Sequence, residues 1–88
     1  MKELKVKEWF YNRESDKAVR YGITFEVTRR TDDIATMPLV EDGCVYLRVN
    51  KILKESEKAI QVELENGGYG NSNKNWTCWI PKSVCEVM

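Results

Sequence analysis

The side chains with the most chemical potential gather at one end of the chain. The stretch "NWTCWIPKSVCEV" (residues 75–87) holds two of the three tryptophans, two of the three cysteines and one of the two prolines. Thiols could ligate zinc, but structural zinc sites draw on four Cys or His ligands, usually with CxxC spacing. Here six residues separate Cys78 from Cys85, Cys44 is the one other thiol, and histidine is absent. The cysteines therefore read as small buried hydrophobes, and no metal or other cofactor is expected. The lack of histidine also removes the commonest general base. Ser15, Ser56, Ser72 and Ser83 have no imidazole to activate them. Asp32 and Asp33 sit in a polar stretch with nothing to raise either pKa. Neither GxGxxG nor GxxxxGK[ST] is present. The chain is expected not to be an enzyme.

What remains is binding chemistry, carried by aromatics and lysines. On a strand over 76–80, Trp76 and Trp79 face opposite sides. One of them belongs to the core; the other is left outside, near an Asn/Gly-rich loop, Lys74 and Lys82. An exposed aromatic beside lysines can stack on single-stranded bases or anchor a protein interface. The structural alternative is that Trp79 packs under the 66–75 loop. The candidate binding residues are Trp79, Trp76, Tyr69, Lys74, Lys82 and Trp9.

Charge bears on the partner. Fourteen basic and fourteen acidic residues leave a net charge of zero, with a pI near 6.3. A duplex-binding domain needs a basic excess to neutralise phosphates, so the balance favours a protein partner or self-association. Residues 1–30 carry eight Lys/Arg against five Asp/Glu, and residues 31–88 carry six against nine. The basic N-terminal part, with Lys5, Lys7 and Trp9, keeps single-stranded nucleic acid as the alternative. No run approaches the ~18 apolar residues of a membrane span. "MKELKVKEWF" has no signal-peptide core, and an odd cysteine count is not a secreted disulfide framework. A cytoplasmic location and no membrane partner are expected.

These groups must be positioned by a small scaffold. Eighty-eight residues support one domain, 1–88, with one modest core. "LKVKEWFY" (4–11) reads as a strand with Leu4, Val6 and Phe10 on one side, and Lys5, Lys7, Trp9 and Tyr11 on the other. "NRESDK" (12–17) reads as a turn. In "AVRYGITFEVTRR", Val19, Tyr21, Ile23, Phe25 and Val27 alternate with polar or small residues, which predicts a long half-buried strand. Gly22 would mark its bulge. Residues 30–43 have no period and contain Pro38. They read as an acidic loop through Asp32, Asp33, Glu41 and Asp42. Residues 44–64 fit a hairpin through Val45, Leu47, Val49, Ile60, Val62 and Leu64. Val49, Ile52, Leu53, Ile60 and Leu64 also fit one helical stripe within 47–65. Gly/Asn-rich residues 65–75 read as a hairpin tip, and "WTCWI" as a strand ended by Pro81.

The stretches "EKAIQV" (57–62) and "WIPKS" (79–83), separated by a variable loop, resemble a pattern in small phage and mobile-element proteins. The resemblance covers about the last 35 residues. It implies a hairpin over the helix in 44–64. The tail "CWIPKSVCEV" is similar to the end of an SH3-like barrel, where a strand meets a proline, a 3₁₀ turn and a final strand. That likeness implies that Trp79, Pro81 and Ser83 lie near the groove which such domains use for ligands. The first half has neither an "ALYDY" stretch nor the acidic loop pattern of signalling SH3 domains, so a proline-rich ligand is not implied.

The expected fold is mainly β, a five- or six-stranded antiparallel barrel, SH3-like or OB-like; the alternative is α+β with a helix around 47–65. The expected function is a non-catalytic phage or mobile-element accessory protein acting through protein contacts. The alternatives are single-stranded nucleic-acid binding, and inhibition of a host defence system through the acidic 32–42 loop.

Overall fold

A computed structural model of the chain describes residues 2–31 and 37–88. The period-2 pattern of the first residues makes a strand, β1 (Lys2–Lys7), with Leu4 and Val6 fully buried. The strand stops there rather than running to Tyr11. The next inward position is Glu8, a charge that an apolar face would not accept. The chain turns instead into a helix, α1 (Glu8–Val19). Glu8 in the first turn and Lys17 in the last complement the helix dipole. The helix buries one stripe at spacing four: Phe10, Glu14 and Ala18. The expected turn at 12–17 is therefore helical.

Gly22 ends this helix and does not make a bulge. Its φ of +74° places it after the last helical turn. Gly22 N–H donates to Val19 O (2.9 Å) and Ile23 N–H to Ala18 O (3.1 Å). This is the Schellman pattern that glycine favours. The expected strand over 18–28 is correspondingly reduced. Ile23, Phe25 and Val27 are buried, but Val19 and Tyr21 are exposed. Residues 23–28 form only isolated bridges, Phe25 with Asn66 and Val27 with Leu47. Alternation correctly marked the buried side chains; the ladder partners it would need are already taken.

The 44–64 region is a hairpin, not a helix: β2 (Cys44–Glu55) pairs with β3 (Ala59–Leu64). β3 pairs in turn with β4 (Trp76–Pro81). A 3₁₀ turn (Lys82–Val84) leads to β5 (Cys85–Val87), which pairs with β1. The result is one antiparallel sheet of five strands in the order β4-β3-β2-β1-β5. Mainly β and five-stranded is as expected, but the sheet is not closed into a barrel.

β2 is long enough to serve both halves. Its first half pairs with β1, and its second with β3 after register shifts beside Asn50 and Leu53. The 23–28 segment fills the gap where β2 and β3 part. Arg48 N–H donates to Glu26 O, Thr28 N–H to Tyr46 O, and Glu26 N–H to Glu65 O, each at 2.9 Å. One core gathers the inward side chains of the strands with Phe10 and Ala18 of α1 and Ile23, Phe25 and Val27. Phe10, Leu4, Leu47, Leu64 and Ile80 are its largest fully buried side chains. Burying each contributes about 2–3 kcal/mol.

Candidate functional site

The pleat of β4 sorts its side chains. Register pairs Trp76 with Leu64, Cys78 with Val62 and Ile80 with Ile60 on the core face. Thr77, Trp79 and Pro81 take the other face and are exposed. Trp76 is half-buried against the core, and Trp79 is 46% exposed. The two tryptophans thus face opposite sides, and Trp79 is the outer one.

Trp76 sits over a buried carboxylate. Its Nε1–H donates to Glu14 Oε1 (3.3 Å), and Lys17 Nζ donates to Glu14 Oε2 (3.2 Å). Glu14 is the one buried charged residue among those described. The two donors explain its tolerance, because a buried charge needs partners. Cys78, on the same face of β4, has its thiol pKa pushed up to about 12, chiefly by burial and next by the Glu14 charge. It is a poor nucleophile at neutral pH.

The outer side of the Trp76 ring meets Tyr21, with centroids 5.8 Å apart and planes inclined at 41°. Tyr21 is 70% exposed. Together with Ile23, Ser72, Lys74, Asn75 and Thr77 they line an open groove of about 440 Å³. One wall of the groove is the 65–75 loop, the expected hairpin tip, which connects β3 to β4. It is tied down. Asn66 Nδ2 donates to Ser72 O (2.8 Å) and Lys74 O (2.7 Å), while Asn66 Oδ1 accepts from Gly68 N–H (2.6 Å). Asn75 Oδ1 accepts from Asn66 N–H (2.9 Å). Ser72 N–H donates to Gly22 O (2.9 Å), which docks the loop on the helix exit. Gly70 is required there: a Cβ would stand 2.1 Å from Gly22 O.

The structure divides the six candidate residues. Trp76 and Lys74 share the groove. Trp79 lies on the opposite face of the same strand. Lys82 follows the other end of β4 and is held by Glu55 at 2.6 Å, which lowers the Glu55 carboxyl pKa. Tyr69 is 55% exposed but lines a separate cavity of about 200 Å³ with Tyr11, Ser15, Phe25 and Arg30. Trp9 is on α1, not on a strand, and is 52% exposed under the Arg13 guanidinium. Lys74 therefore lies with Trp76 rather than with the outer tryptophan, and Tyr69 lines a different cavity. Sequence reasoning missed Tyr21 and Glu14. Both were signalled by "KAVRYG", where basic residues before a glycine mark a helix end, and by Phe10, Glu14 and Ala18 at spacing four.

The acidic loop is only partly in view. Asp32 and Asp33 lie outside the described residues, and Glu41 is engaged by Arg29 Nη1 at 3.3 Å. Among the described residues no cluster of His, Cys, Asp and Glu is gathered for a metal ion, and no helix is long and apolar enough to cross a membrane. No protein-family model, curated protein or solved structure matches the chain.

Proposed function

We propose that this chain is a non-catalytic binding module that acts through protein–protein contacts at β4 and its two aromatic flanks. The observation that carries this reading is the composition of β4. It is a six-residue edge strand, "WTCWIP", without a charged residue. Edge strands are usually blunted by charge, by shortness or by cover. Here an exposed tryptophan, Trp79, stands on one face, and Trp76 with Tyr21 opens on the other. Large aromatics in this setting are the usual anchors of interfaces. The strand order, with a 3₁₀ turn before the last strand, supports the SH3-like ending read from "CWIPKSVCEV". The likeness of "EKAIQV" and "WIPKS" to phage and mobile-element proteins supplies the accessory setting. Three free cysteines favour a reducing compartment such as the cytoplasm.

The test is affinity capture with the wild-type chain and with Trp79→Ala, at low and high salt, quantified by mass spectrometry. Partners lost with Trp79→Ala and retained at high salt are the expected result. Equal capture by both proteins would remove the reading.

The Tyr21–Trp76 pair beside Lys74 favours one second reading, single-stranded nucleic-acid binding by base stacking. Binding of an oligonucleotide that quenches tryptophan fluorescence and vanishes with salt would decide for it. No described residue favours a host-defence inhibitor acting through the acidic loop.

A further inference from the structure

The pair Asn66–Gly67 joins chemical lability to structural need. Among the asparagines of the chain only Asn66 is followed by glycine. An Asn side-chain amide is open to attack by the backbone nitrogen of the next residue, and glycine, without a Cβ, hinders that attack least. The fold nonetheless requires both residues. Asn66 Nδ2 donates to Ser72 O and to Lys74 O, two bonds that no carboxylate can make. A Cβ at Gly67 would stand 2.8 Å from Phe25 O.

The docked loop treats the two reacting groups differently. The electrophile is activated: Gly68 N–H donates to Asn66 Oδ1 at 2.6 Å, which draws charge from Cγ. The nucleophile is withheld: Gly67 N–H donates to Thr24 O at 2.8 Å. A carbonyl is too weak a base to take that proton, so the bond keeps it on the nitrogen and fixes the peptide plane. The bridge between Phe25 and Asn66, and the bond from Ser72 N–H to Gly22 O, hold the same arrangement. Asn66 is therefore locked while residues 66–75 stay docked on residues 22–25.

We infer that Asn66 is a self-modifying site gated by loop docking: it deamidates when the loop parts from residues 22–25, and the product cannot dock the loop again. The chemistry needs no partner, only water and hydroxide. Hydroxide takes the Gly67 amide proton, and the nitrogen bonds to Asn66 Cγ. The Cγ–Nδ2 bond breaks, and the amide nitrogen leaves as ammonia after gaining a proton from water. Water then opens the cyclic imide at either carbonyl. Opening at the side-chain carbonyl gives aspartate, and opening at the main-chain carbonyl gives isoaspartate. Nothing is oxidised or reduced. Aspartate sets a carboxylate against the Ser72 and Lys74 carbonyls, acceptor against acceptor. Isoaspartate lengthens the backbone at the bridge to Phe25. Ser72 and Lys74 line the Tyr21–Trp76 groove, so either product reshapes that groove. The reaction draws on the locally open fraction of the chain, which sets its rate.

The test follows each asparagine by peptide mapping and mass spectrometry. The whole chain is incubated in heavy-oxygen water at mildly alkaline pH, folded and in urea. In urea Asn66 should react fastest, giving labelled aspartate and isoaspartate. Folding should slow Asn66 by about tenfold or more, and exposed Asn73 much less. Gly70→Ala pushes the loop from Gly22 and leaves Asn66 intact, so it should restore most of the lost rate. Thr24→Val removes the side-chain acceptor of Tyr69 N–H. It is a milder loosening that should restore part of the rate, and it serves where Gly70→Ala does not fold. Asn66→Asp, the product itself, should speed hydrogen exchange across 66–75 and shift tryptophan emission, with β1 unchanged. Equal Asn66 rates in the folded and urea-unfolded chain would overturn the gate, as would wild-type rates in the loosened variants. Wild-type exchange in Asn66→Asp would overturn the irreversible release.

Discussion

Two regions of the sheet are built from the same three ingredients, an aromatic ring, a cation and a carboxylate, and they end in opposite states. Over β1 and β2 the Arg29 guanidinium lies 3.7 Å from the centre of the Tyr46 ring. Glu3 grips it through Oε1 to Nη2 (3.2 Å), and Glu41 through Oε1 to Nη1 (3.3 Å). Thr28 Oγ1 donates to Glu3 Oε2 at 2.5 Å, and this bond, then Arg29, lowers the Glu3 carboxyl pKa. Tyr46 is consequently buried, and that outer face is closed. At the β4 end the carboxylate, Glu14, is beneath the ring and takes the indole N–H. The outer side of Trp76 meets Tyr21, itself exposed, and among the described residues Lys74 forms no ion pair. The lesson is positional. A carboxylate placed outside the ring seals the cation onto it. A carboxylate placed inside orients the ring and leaves the other face for a partner.

The largest expected effect is on pH dependence. Burial raises the thiols of both Cys78, at the open end, and Cys85, beside the closed region, but Cys78 is raised much further, to about 12. The unfolded chain ionises first, near the ordinary thiol value of 9.0. Stability is therefore fully present below that pH and is lost as pH rises toward 12, at no more than about 1.4 kcal/mol per pH unit for one proton. Denaturant melts from pH 8 to 11 should show this slope. Cys78→Ala should flatten it more than Cys85→Ala; equal slopes would mean that the two regions bury their thiols alike.

Gly70→Ala should cost about 2–3 kcal/mol, because the new Cβ collides with the backbone of Gly22. Hydrogen exchange should speed up at residues 22–24 and 66–75 and stay unchanged at β1 and β5. Glu14→Ala should cost about 2 kcal/mol by leaving the Trp76 indole N–H without its acceptor, with a change in tryptophan emission that reports the ring coming loose. Glu3→Ala, its counterpart in the closed region, should cost about 1 kcal/mol, since the pair is partly exposed. Its signature would be increased exposure of Tyr46, read by solvent quenching. The smallest stability effect is Trp79→Ala, under about 0.5 kcal/mol for an exposed site, with partner binding falling at least tenfold. A large loss of stability would show that Trp79 is packed, and that the open end is not open.

Local patterning was enough for half of the molecule. The alternation in "WTCWIP" specified the inward face of β4, the opposed tryptophans and the stop at Pro81; "AIQVEL" fitted a strand and a helical stripe alike, and pairing with β2 and β4 decided for the strand. Burial at Ile23, Phe25 and Val27 was legible for the same reason: a period of two depends only on neighbours along the chain. The first thirty residues misled because two patterns overlap there. Leu4, Val6 and Phe10 mimic a strand that skips Glu8, while Phe10, Glu14 and Ala18 make a helical stripe that includes a charge. Glu14 looks like a surface residue until Trp76, sixty-two positions later, supplies its hydrogen bond.

Composition and local period thus pointed to a small, mainly β domain without histidine and to the core-facing residues of its strands, with hairpin and helix both open for 44–64. Only the tertiary structure decided that 8–19 is a helix, that Gly22 and Gly70 dock the loop on the helix exit, that β4 is an edge and not a closing strand, and that Tyr21 and Lys74 join Trp76. The physical reason is that each of these depends on contacts between residues far apart in sequence. A buried carboxylate, a close backbone approach and a groove become favourable only when a distant partner is in place.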